Sequence, residues 1–318
     1  MKEEDRVIVV NGLGEVLCDD VALYRSRHDV ERIDKYKEAR EQVEAFKGFT
    51  KSEQFVVYLY SMHKSMTDLQ PQTAIRMVYL ATYLEFDGQY LKEHGKYISR
   101  QSMQELMMLK PATFTRFLEE VTNAGYVLKD GRKYYINSEI FHRGYRNSND
   151  VMQDYVRVYV DTLRNLYRSV PQKKHVYLGY IFQLIPYINR EWNIICFNPD
   201  ETDEDYISPM RVGDFCEIVG YERKNAARFI KEYRDIKFEW NGDTQSFLGY
   251  FYEDDKAEMR FFANPNIFYA GNDFNRVKIL KLAFGHRKTD KNMTSTAQLA
   301  YQEHQKLLQE NPELQDLF

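Results

Sequence analysis

The sequence predicts an α+β fold, mainly α, in which a unit of two helices and a β-hairpin occurs twice. Apolar residues recur at helical spacing over most of the chain after residue 50. Two short phrases from the first half of the chain recur in the same order in the second half, which indicates an internal repeat. β-type sequence with a polar turn follows each pair of predicted helices, and a further helix is predicted between the two copies.

Composition limits the classes to which the chain can belong. It has 318 residues, of which 15% are aromatic, so we expect about two ordered domains plus extensions. Three cysteines without a CxxC pair exclude a disulfide scaffold and a cysteine zinc finger, and they suit the cytoplasm. No apolar run reaches the roughly 18 residues of a membrane span, so we expect no membrane partner.

The first predicted segment, residues 1–50, is an acidic arm. Residues 6–18 predict a β-hairpin because an Asn11-Gly12 turn separates two apolar runs. Residues 28–46 are charge-dense and lack Gly and Pro, which predicts a solvated helix. With nine Lys and Arg against twelve Asp and Glu, this arm is a poor candidate for binding DNA.

Two helices are predicted before the repeat begins. Residues 52–66 and 72–85 have apolar positions at three- and four-residue spacing. Pro71 suits the first turn of the second helix, where its missing N–H leaves no hydrogen bond unmade.

The repeat itself is carried by two phrases. Tyr97-Ile98-Ser99 recurs as Tyr206-Ile207-Ser208. The phrase 137–144 recurs as 264–271 with the shared pattern Asn-x-x-Ile-Phe-x-x-Gly. The two phrases lie further apart in the second copy than in the first, which predicts a longer hairpin in the second copy.

Between these phrases, each copy predicts helix, break, helix and hairpin, the order of a winged helix-turn-helix. The predicted helices are 101–108 and 112–123, then 211–219 and 222–235. The fold class is therefore two winged helix-turn-helix units joined by a helix. The predicted domains after the arm are a first winged-helix domain at 51–148, a linker helix at 149–171, a second winged-helix domain at 172–275, and C-terminal helices with a tail at 276–318.

In a helix-turn-helix the second helix presents its exposed side to the DNA major groove. Arg is the commonest reader of guanine, and Asn reads adenine. The candidate DNA-binding side chains are Arg100, Lys110, Thr113, Thr115, Arg116, Lys129, Arg132 and Lys133 in the first copy and Arg223, Lys224, Asn225 and Arg228 in the second. Residues 92–146 carry ten Lys and Arg against six Asp and Glu, although Glu119 and Glu120 would repel phosphates.

This arrangement resembles the replication initiators of plasmids and phages, which have tandem winged-helix units. The end of the first copy, YYINSEIFHRG, is similar to the phrase that ends the wing in replication and regulatory proteins of Gram-positive plasmids and phages. Ser138 stands where that phrase usually has Pro. The resemblance covers about residues 50–275, and it implies binding to repeated double-stranded origin sites and recruitment of partners. A transcriptional regulator and a protein-interaction adaptor without DNA remain the alternatives.

Catalytic motifs are missing from the sequence. There is no GxxxxGK[ST] phosphate loop, no GxGxxG after a predicted strand, no HExxH and no GxSxG. No His-x-His pair exists, and the acidic run at 200–205 is typical of an exposed hairpin tip. We therefore expect a protein that is not an enzyme and has no cofactor and no metal.

The C-terminal region predicts a tethered docking peptide. Residues 275–285 predict a closing helix, 288–295 a linker and 296–310 an amphipathic helix. Leu314, Leu317 and Phe318 form an apolar cluster at the end of the chain. Asp316-Leu317-Phe318 resemble the end of the peptides that dock on bacterial sliding clamps, although Leu314 stands where those peptides have Gln, and the resemblance implies replisome partners. The alternative is a terminus that packs on its own protein. A homodimer is compatible with the sequence.

Overall fold

The computed structural model describes residues 9–10, 16–18, 37, 54–60, 66–86, 88–144, 154–240, 242–252 and 259–271 and positions 276, 277, 280, 281 and 284. The chain divides into two compact units, residues 1–48 and 49–318. In the first unit β1 (Val9–Val10) pairs antiparallel with β2 (Val16–Cys18), which confirms the predicted hairpin. Its Asn11-Gly12 turn lies outside the described residues. Lys37 is helical and is the one described position of the predicted helix 28–46.

The second unit contains all the other described elements. Its α-helices within the described residues are α1 (Pro71–Ala81), α2 (Arg100–Leu106), α3 (Pro111–Asn123), α4 (Val160–Ser169), α5 (His175–Gln183), α6 (Val212–Ile218) and α7 (Ala226–Arg234). Its strands are β3 (Phe55–Tyr60), β4 (Lys92–Glu93), β5 (Lys96–Tyr97), β6 (Val127–Asp130), β7 (Lys133–Ile136), β8 (Phe141–His142), β9 (Asp154–Tyr159), β10 (Lys237–Trp240), β11 (Asp243–Ser246), β12 (Leu248–Tyr252), β13 (Met259–Ala263) and β14 (Phe268–Tyr269). The helix predicted to begin at Pro71 is confirmed.

The predicted fold class, mainly α with two winged helix-turn-helix units joined by a helix, is wrong. The described residues form a mixed structure of seven α-helices and several small antiparallel sheets. The predicted joining helix, 149–171, contains strand β9 and becomes helix α4 only at Val160. β9 pairs with β3 along its whole length, so a four-stranded sheet in the order β14-β9-β3-β8 unites the two copies.

Strand β3 also replaces the helix predicted at 52–66. Its sequence, Phe-Val-Val-Tyr-Leu-Tyr, consists mostly of β-branched and aromatic residues, which favour strands. Val56 and Tyr58 are fully buried, whereas Phe55 and Val57, which alternate with them along the strand, are partly exposed. This alternation is the strand period of two, which a short apolar run does not distinguish from a helical period.

The four-stranded sheet is symmetric about the pair formed by Val57 and Arg157. Val56 pairs with Val158 on one side of it, and Tyr58 pairs with Val156 on the other. The outer strands have the same symmetry. Tyr58 in β3 and Val158 in β9 are equivalent positions, and each pairs with the phenylalanine of its outer strand, Phe141 in β8 and Phe268 in β14. Helices α1 and α5, one from each copy, pack against each other, and one hydrophobic cluster runs through both copies. An approximate two-fold axis therefore relates the copies.

The repeated Asn phrase forms the same turn in both copies. The side-chain Oδ1 of Asn137 accepts a hydrogen bond from the Glu139 N–H at 3.0 Å, and that of Asn264 accepts from the Asn266 N–H at 2.9 Å. In such a turn the asparagine side-chain oxygen accepts the hydrogen bond that a backbone carbonyl accepts in an ordinary turn. Each turn leads into an outer strand of the shared sheet, β8 in the first copy and β14 in the second. The phrase therefore recurs in both copies for a local structural reason.

The prediction of one longer hairpin in the second copy is wrong. In the first copy the Asn137 N–H donates directly to the Tyr126 carbonyl at 3.0 Å. In the second copy Phe247 donates to Ile236 and accepts from the Asn264 N–H, both at 3.2 Å. The additional residues thus form a separate hairpin, β12 with β13, inserted after the hairpin of β10 and β11.

Glu120 caps helix α1 from helix α3. Its carboxylate accepts hydrogen bonds from the Gln70 N–H at 2.7 Å and from the Thr73 hydroxyl at 2.6 Å. Because these satisfy donors at the start of α1, we expect Glu120→Ala to lower the free energy of unfolding by about 1–2 kcal/mol in urea denaturation. The exposed neighbour Glu119 is the matched control, and Glu119→Ala should change stability by less than about 0.5 kcal/mol. Equal effects of the two substitutions would contradict the capping role.

His175 makes stability depend on pH. It is fully buried, its Nε2 lies 3.0 Å from both the Tyr167 and Val170 carbonyl oxygens, and burial lowers its pKa below 6.5. The unfolded chain therefore binds a proton at a higher pH than the folded chain does. As pH falls below about 6.5, we expect the free energy of unfolding to drop by at most about 1.4 kcal/mol per pH unit, until the folded pKa is reached.

The measurement is urea unfolding at several pH values between 7.5 and 5 for the wild type, His175→Gln and His94→Gln. The exposed His94 serves as the control for replacing a histidine that is not buried. His175→Gln should lose the part of the slope that His175 contributes. A His175→Gln variant with the full wild-type slope would assign that slope to other groups.

Candidate nucleic-acid interface

Helices α2 and α3 place the first-copy candidates. The Ser99 hydroxyl caps α2 by accepting from the Ser102 N–H at 3.1 Å, so Arg100 opens the helix in an exposed position. Helix α3 buries one apolar stripe, formed by Phe114, Phe117, Leu118 and Val121. Its opposite side is left outward, and there Thr115 is partly exposed and Arg116 is exposed.

The hairpin of β6 and β7 carries three more candidates. Asp130 pairs with Lys133 across a two-residue turn, and Gly131 in that turn has a φ of 57°, which suits glycine. The tight turn leaves Arg132 exposed at its tip and Lys129 exposed on the strand that precedes it. Lys133 returns along β7 and is partly buried.

Lys133 lies over a group of tyrosines. Its Nζ is 4.3 Å from the ring centre of Tyr97 and 5.4 Å from that of Tyr90. The Lys92 Nζ lies 4.7 Å from the Tyr97 ring, and the two tyrosine rings meet edge to face at 5.5 Å. Cation–π contacts hold both ammonium groups at the surface, since Tyr97 is 44% exposed. The prediction missed Tyr90 and Lys92 and used Tyr97 only as a marker of the repeat.

Arg100 extends this group onto helix α3. Its guanidinium donates to the Thr115 hydroxyl at 3.0 Å and lies 5.4 Å from the Phe114 ring centre. Because Tyr97 and Arg100 are close neighbours in the chain, the hairpin and the outward side of α3 meet through them. We call this surface the first-copy basic face, and it consists of Lys92, Tyr97, Arg100, Thr115, Lys129, Arg132 and Lys133.

Three other first-copy candidates lie beside this face. Lys110 precedes α3 and Arg116 lies on it, both exposed, while Thr113 is partly buried. Among the described residues, these three form no hydrogen bond, ion pair or ring contact with the basic face. They extend the polar surface along α3 without being part of the contact network.

The charges of the first-copy basic face are largely unopposed. Lys92 forms an ion pair with Glu85 at 2.5 Å. In the described part of the chain, Arg100, Lys129, Arg132 and Lys133 form none. Glu120, expected to repel phosphates, instead binds the start of α1. An unopposed cation is free to neutralise a phosphate group of a ligand.

The second-copy candidates are arranged differently. Arg223, Lys224 and Asn225 form a short 3-10 turn before α7, which begins at Ala226, so the prediction that they belong to the helix is wrong. The Arg223 guanidinium pairs with Glu217 at 2.6 Å, and the Lys224 Nζ pairs with Glu222 at 3.1 Å. Asn225 also donates to Glu222 at 2.9 Å.

Arg228 is therefore the one second-copy candidate on helix α7, where it is exposed. Exposed ion pairs such as those of Arg223 and Lys224 are weak, yet a phosphate would still have to compete with each carboxylate. The second copy thus offers a less favourable surface to an anion than the first copy does.

The tyrosines of the repeated phrase show the same contrast. Tyr206, the counterpart of Tyr97, is 72% exposed and ends a 3-10 turn that contains Glu204 and Asp205. The acidic run 200–205 is mostly exposed, as predicted, but forms a loop with this turn, and Asp200 pairs with Arg190 at 2.6 Å. The Tyr97 ring thus contacts two cations, whereas Tyr206 follows two acidic residues in its turn.

Other predicted features are only partly placed. Positions 276, 277, 280, 281 and 284 are helical, in agreement with the helix predicted at 275–285. Leu314, Leu317 and Phe318 lie outside the described residues. Within the described ranges, no group of three or more His, Cys, Asp and Glu side chains is placed to hold a metal ion. None of the helices in those ranges has both the length and the apolar character needed to cross a lipid bilayer.

The candidate interface is thus defined by side-chain chemistry: cations fixed by aromatic rings, next to the outward side of a helix. No protein-family model, no curated protein and no solved structure matches this chain.

Proposed function

We propose that this protein is a non-enzymatic, sequence-specific double-stranded DNA-binding protein of the cytoplasm that initiates replication at repeated origin sites. The observation that carries DNA binding is the first-copy basic face, whose cations Arg100, Lys129, Arg132 and Lys133 form no ion pair among the described residues. DNA affinity arises mainly from such contacts between cations and phosphates.

The geometry of the face supports contact with a duplex. Arg132 lies at the hairpin tip and Lys133 lies beside Tyr97. If helix α3 faces a groove of the duplex, the adjoining hairpin faces the sugar-phosphate backbone next to that groove, where these two cations would contact phosphates. Thr115 and Arg116 on the outward side of α3 are the side chains available for base edges. Arg100 joins the two parts through its bond to Thr115.

The replication part of the proposal rests on the sequence. The phrase YYINSEIFHRG is similar to those of plasmid and phage replication proteins. The terminal residues Leu314, Leu317 and Phe318 would then dock on a replisome protein while the rest of the chain holds the origin.

The experiment is a titration of random-sequence duplex DNA at several salt concentrations, followed by selection of bound sequences from a random duplex pool. Four phosphate contacts predict a slope of log affinity against log salt of roughly −3.6. Selection should then enrich one motif, and a plasmid carrying repeats of that motif should depend on the protein for replication. Absence of duplex binding even at low salt would favour the adaptor, whereas repression without replication would favour the transcriptional regulator.

A further inference from the structure

A cavity of about 290 Å³ lies next to the first-copy basic face. It is half open to the surface and is lined by Gln54 before β3, the residues after α1, strand β4 with the turn that follows it, helix α4 and the residue after β8. Leu84 is the single aliphatic side chain among its described lining residues. Arg143 and Arg164 contribute two guanidinium groups, so we call it the arginine cavity.

Both guanidinium groups are held in place by neutral oxygen atoms. Arg143 donates to the Leu84 carbonyl at 2.8 Å and to the side-chain oxygen of Gln54. Arg164 donates to the Thr82 hydroxyl at 2.9 Å and to the Thr82 carbonyl at 2.7 Å, and it stacks 3.9 Å from the Tyr83 ring centre. Fixed guanidinium groups bind a ligand without losing further side-chain freedom.

The charge of these arginines is not balanced by a bonded acid. Among the described residues, neither guanidinium donates to a carboxylate or forms an ion pair. Burial lowers the pKa of Arg143, the charge of Arg164 lowers it further, and Asp161 partly offsets this. Two like charges close together in a half-buried position favour an anion between them.

Two acids of the cavity wall oppose this attraction. Glu85 is neutralised by its ion pair with Lys92 at 2.5 Å, while Glu93 forms no ion pair among the described residues. Lys92 itself contributes a third cation to the lining. Each guanidinium has five N–H donors and uses two of them on protein oxygens, so the remaining donors of both can bind phosphate oxygens. Glu93 is the wall residue that weakens anion binding.

We propose that the arginine cavity binds a phosphoryl group. The volume is at the lower end of small-molecule sites, so it suits a phosphate or pyrophosphate group with little else enclosed. The group would belong either to a free phosphorylated molecule or to the DNA backbone, because Lys92 lines the cavity and also contacts Tyr97 of the basic face. The site does not depend on DNA binding.

The test is calorimetric titration of the full chain with inorganic phosphate and with pyrophosphate. We expect one pyrophosphate to bind with a Kd of about 1 mM or tighter. Arg143→Lys and Arg164→Lys keep the charge but lose the fork, and each should weaken binding about tenfold or more. Arg211→Lys, an exposed arginine outside the cavity, should leave it unchanged.

The arginine variants could fail to fold, because both side chains also bind the main chain. Glu93→Gln avoids this difficulty, since it removes one negative charge from the wall and should tighten pyrophosphate binding about threefold. Competition with a short duplex identifies the source: displacement of pyrophosphate assigns the site to a backbone phosphate, and simultaneous binding assigns it to a free ligand. No pyrophosphate binding by the wild type, or an affinity that Glu93→Gln leaves unchanged, would overturn the proposal.

Discussion

Replacing Arg100, Lys129, Arg132 and Lys133 together by Ala should lower the affinity for duplex DNA by about 10²- to 10³-fold near 0.15 M salt. Each lost phosphate contact removes roughly 0.9 from the log–log salt slope, so the four losses should reduce the magnitude of the slope by roughly 3.6. The reason is that these cations form no ion pair among the described residues, and their whole charge is available to phosphates. The measurement is fluorescence anisotropy of a labelled duplex across a salt series.

The matched control is the second-copy variant with Arg223, Lys224 and Arg228 replaced by Ala. It should also weaken binding, but by about tenfold or less, because Arg223 and Lys224 already pair with Glu217 and Glu222. Thermal unfolding of both variants checks that the fold is intact. A larger loss in the second-copy variant would move the interface to that copy, and no loss in either would end the DNA-binding proposal.

Gly179→Ala should lower the free energy of unfolding by about 3 kcal/mol or more. A Cβ at this position of α5 would lie 1.7 Å from the Pro71 carbonyl oxygen and 2.9 Å from the Pro71 Cα, at the start of α1. Both neighbouring atoms are backbone, so relief requires the two helices to separate, which would open the hydrophobic cluster that they share. The midpoint and slope of urea unfolding measure the effect.

Gly213 in α6 is the matched glycine. The three atoms nearest to a Cβ there all belong to the Arg223 side chain, with its Nε at 2.8 Å, and that exposed group can move aside. Since Ala is favoured over Gly in a helix by up to about 1 kcal/mol, Gly213→Ala should be neutral or slightly stabilising. A Gly179→Ala protein with the wild-type midpoint would show that α1 and α5 do not approach this closely.

Local sequence signals predict local structure well in this chain. Helices α2 and α3 lie where apolar spacing predicts them, and the Asn137 turn follows from side-chain chemistry between near neighbours in the chain. Strands β3 and β9 were missed because their short apolar runs also fit a helical period, and the partner strand that decides between the two lies far away in the sequence, as Val57 and Arg157 do. Nothing in the immediate neighbourhood of either strand encodes that pairing.

Individual cations show the same difference between contacts with near neighbours in the chain and contacts with residues far away in the sequence. Arg157 falls in the segment predicted as the linker helix, where a polar side chain is usually exposed, yet it is buried and donates to the Gly271 carbonyl at 2.9 Å. Lys133 was predicted from the hairpin pattern, but its contact with Tyr97 crosses from β7 to β5 and has no local signal. The sequence signal that could have pointed to this contact is the tyrosine that both copies of the repeated phrase keep, as Tyr97 and Tyr206.

The symmetric sheet makes this single chain comparable to a homodimer whose two subunits are fused. In a homodimer every substitution appears on both sides of the axis, so an acid that suits one side is imposed on the other. In the fused chain a substitution appears once. Lys92 and Lys133 can therefore surround Tyr97 while Glu204 and Asp205 precede Tyr206. Fusion thus allows the two equivalent surfaces to differ in charge and to attract different partners.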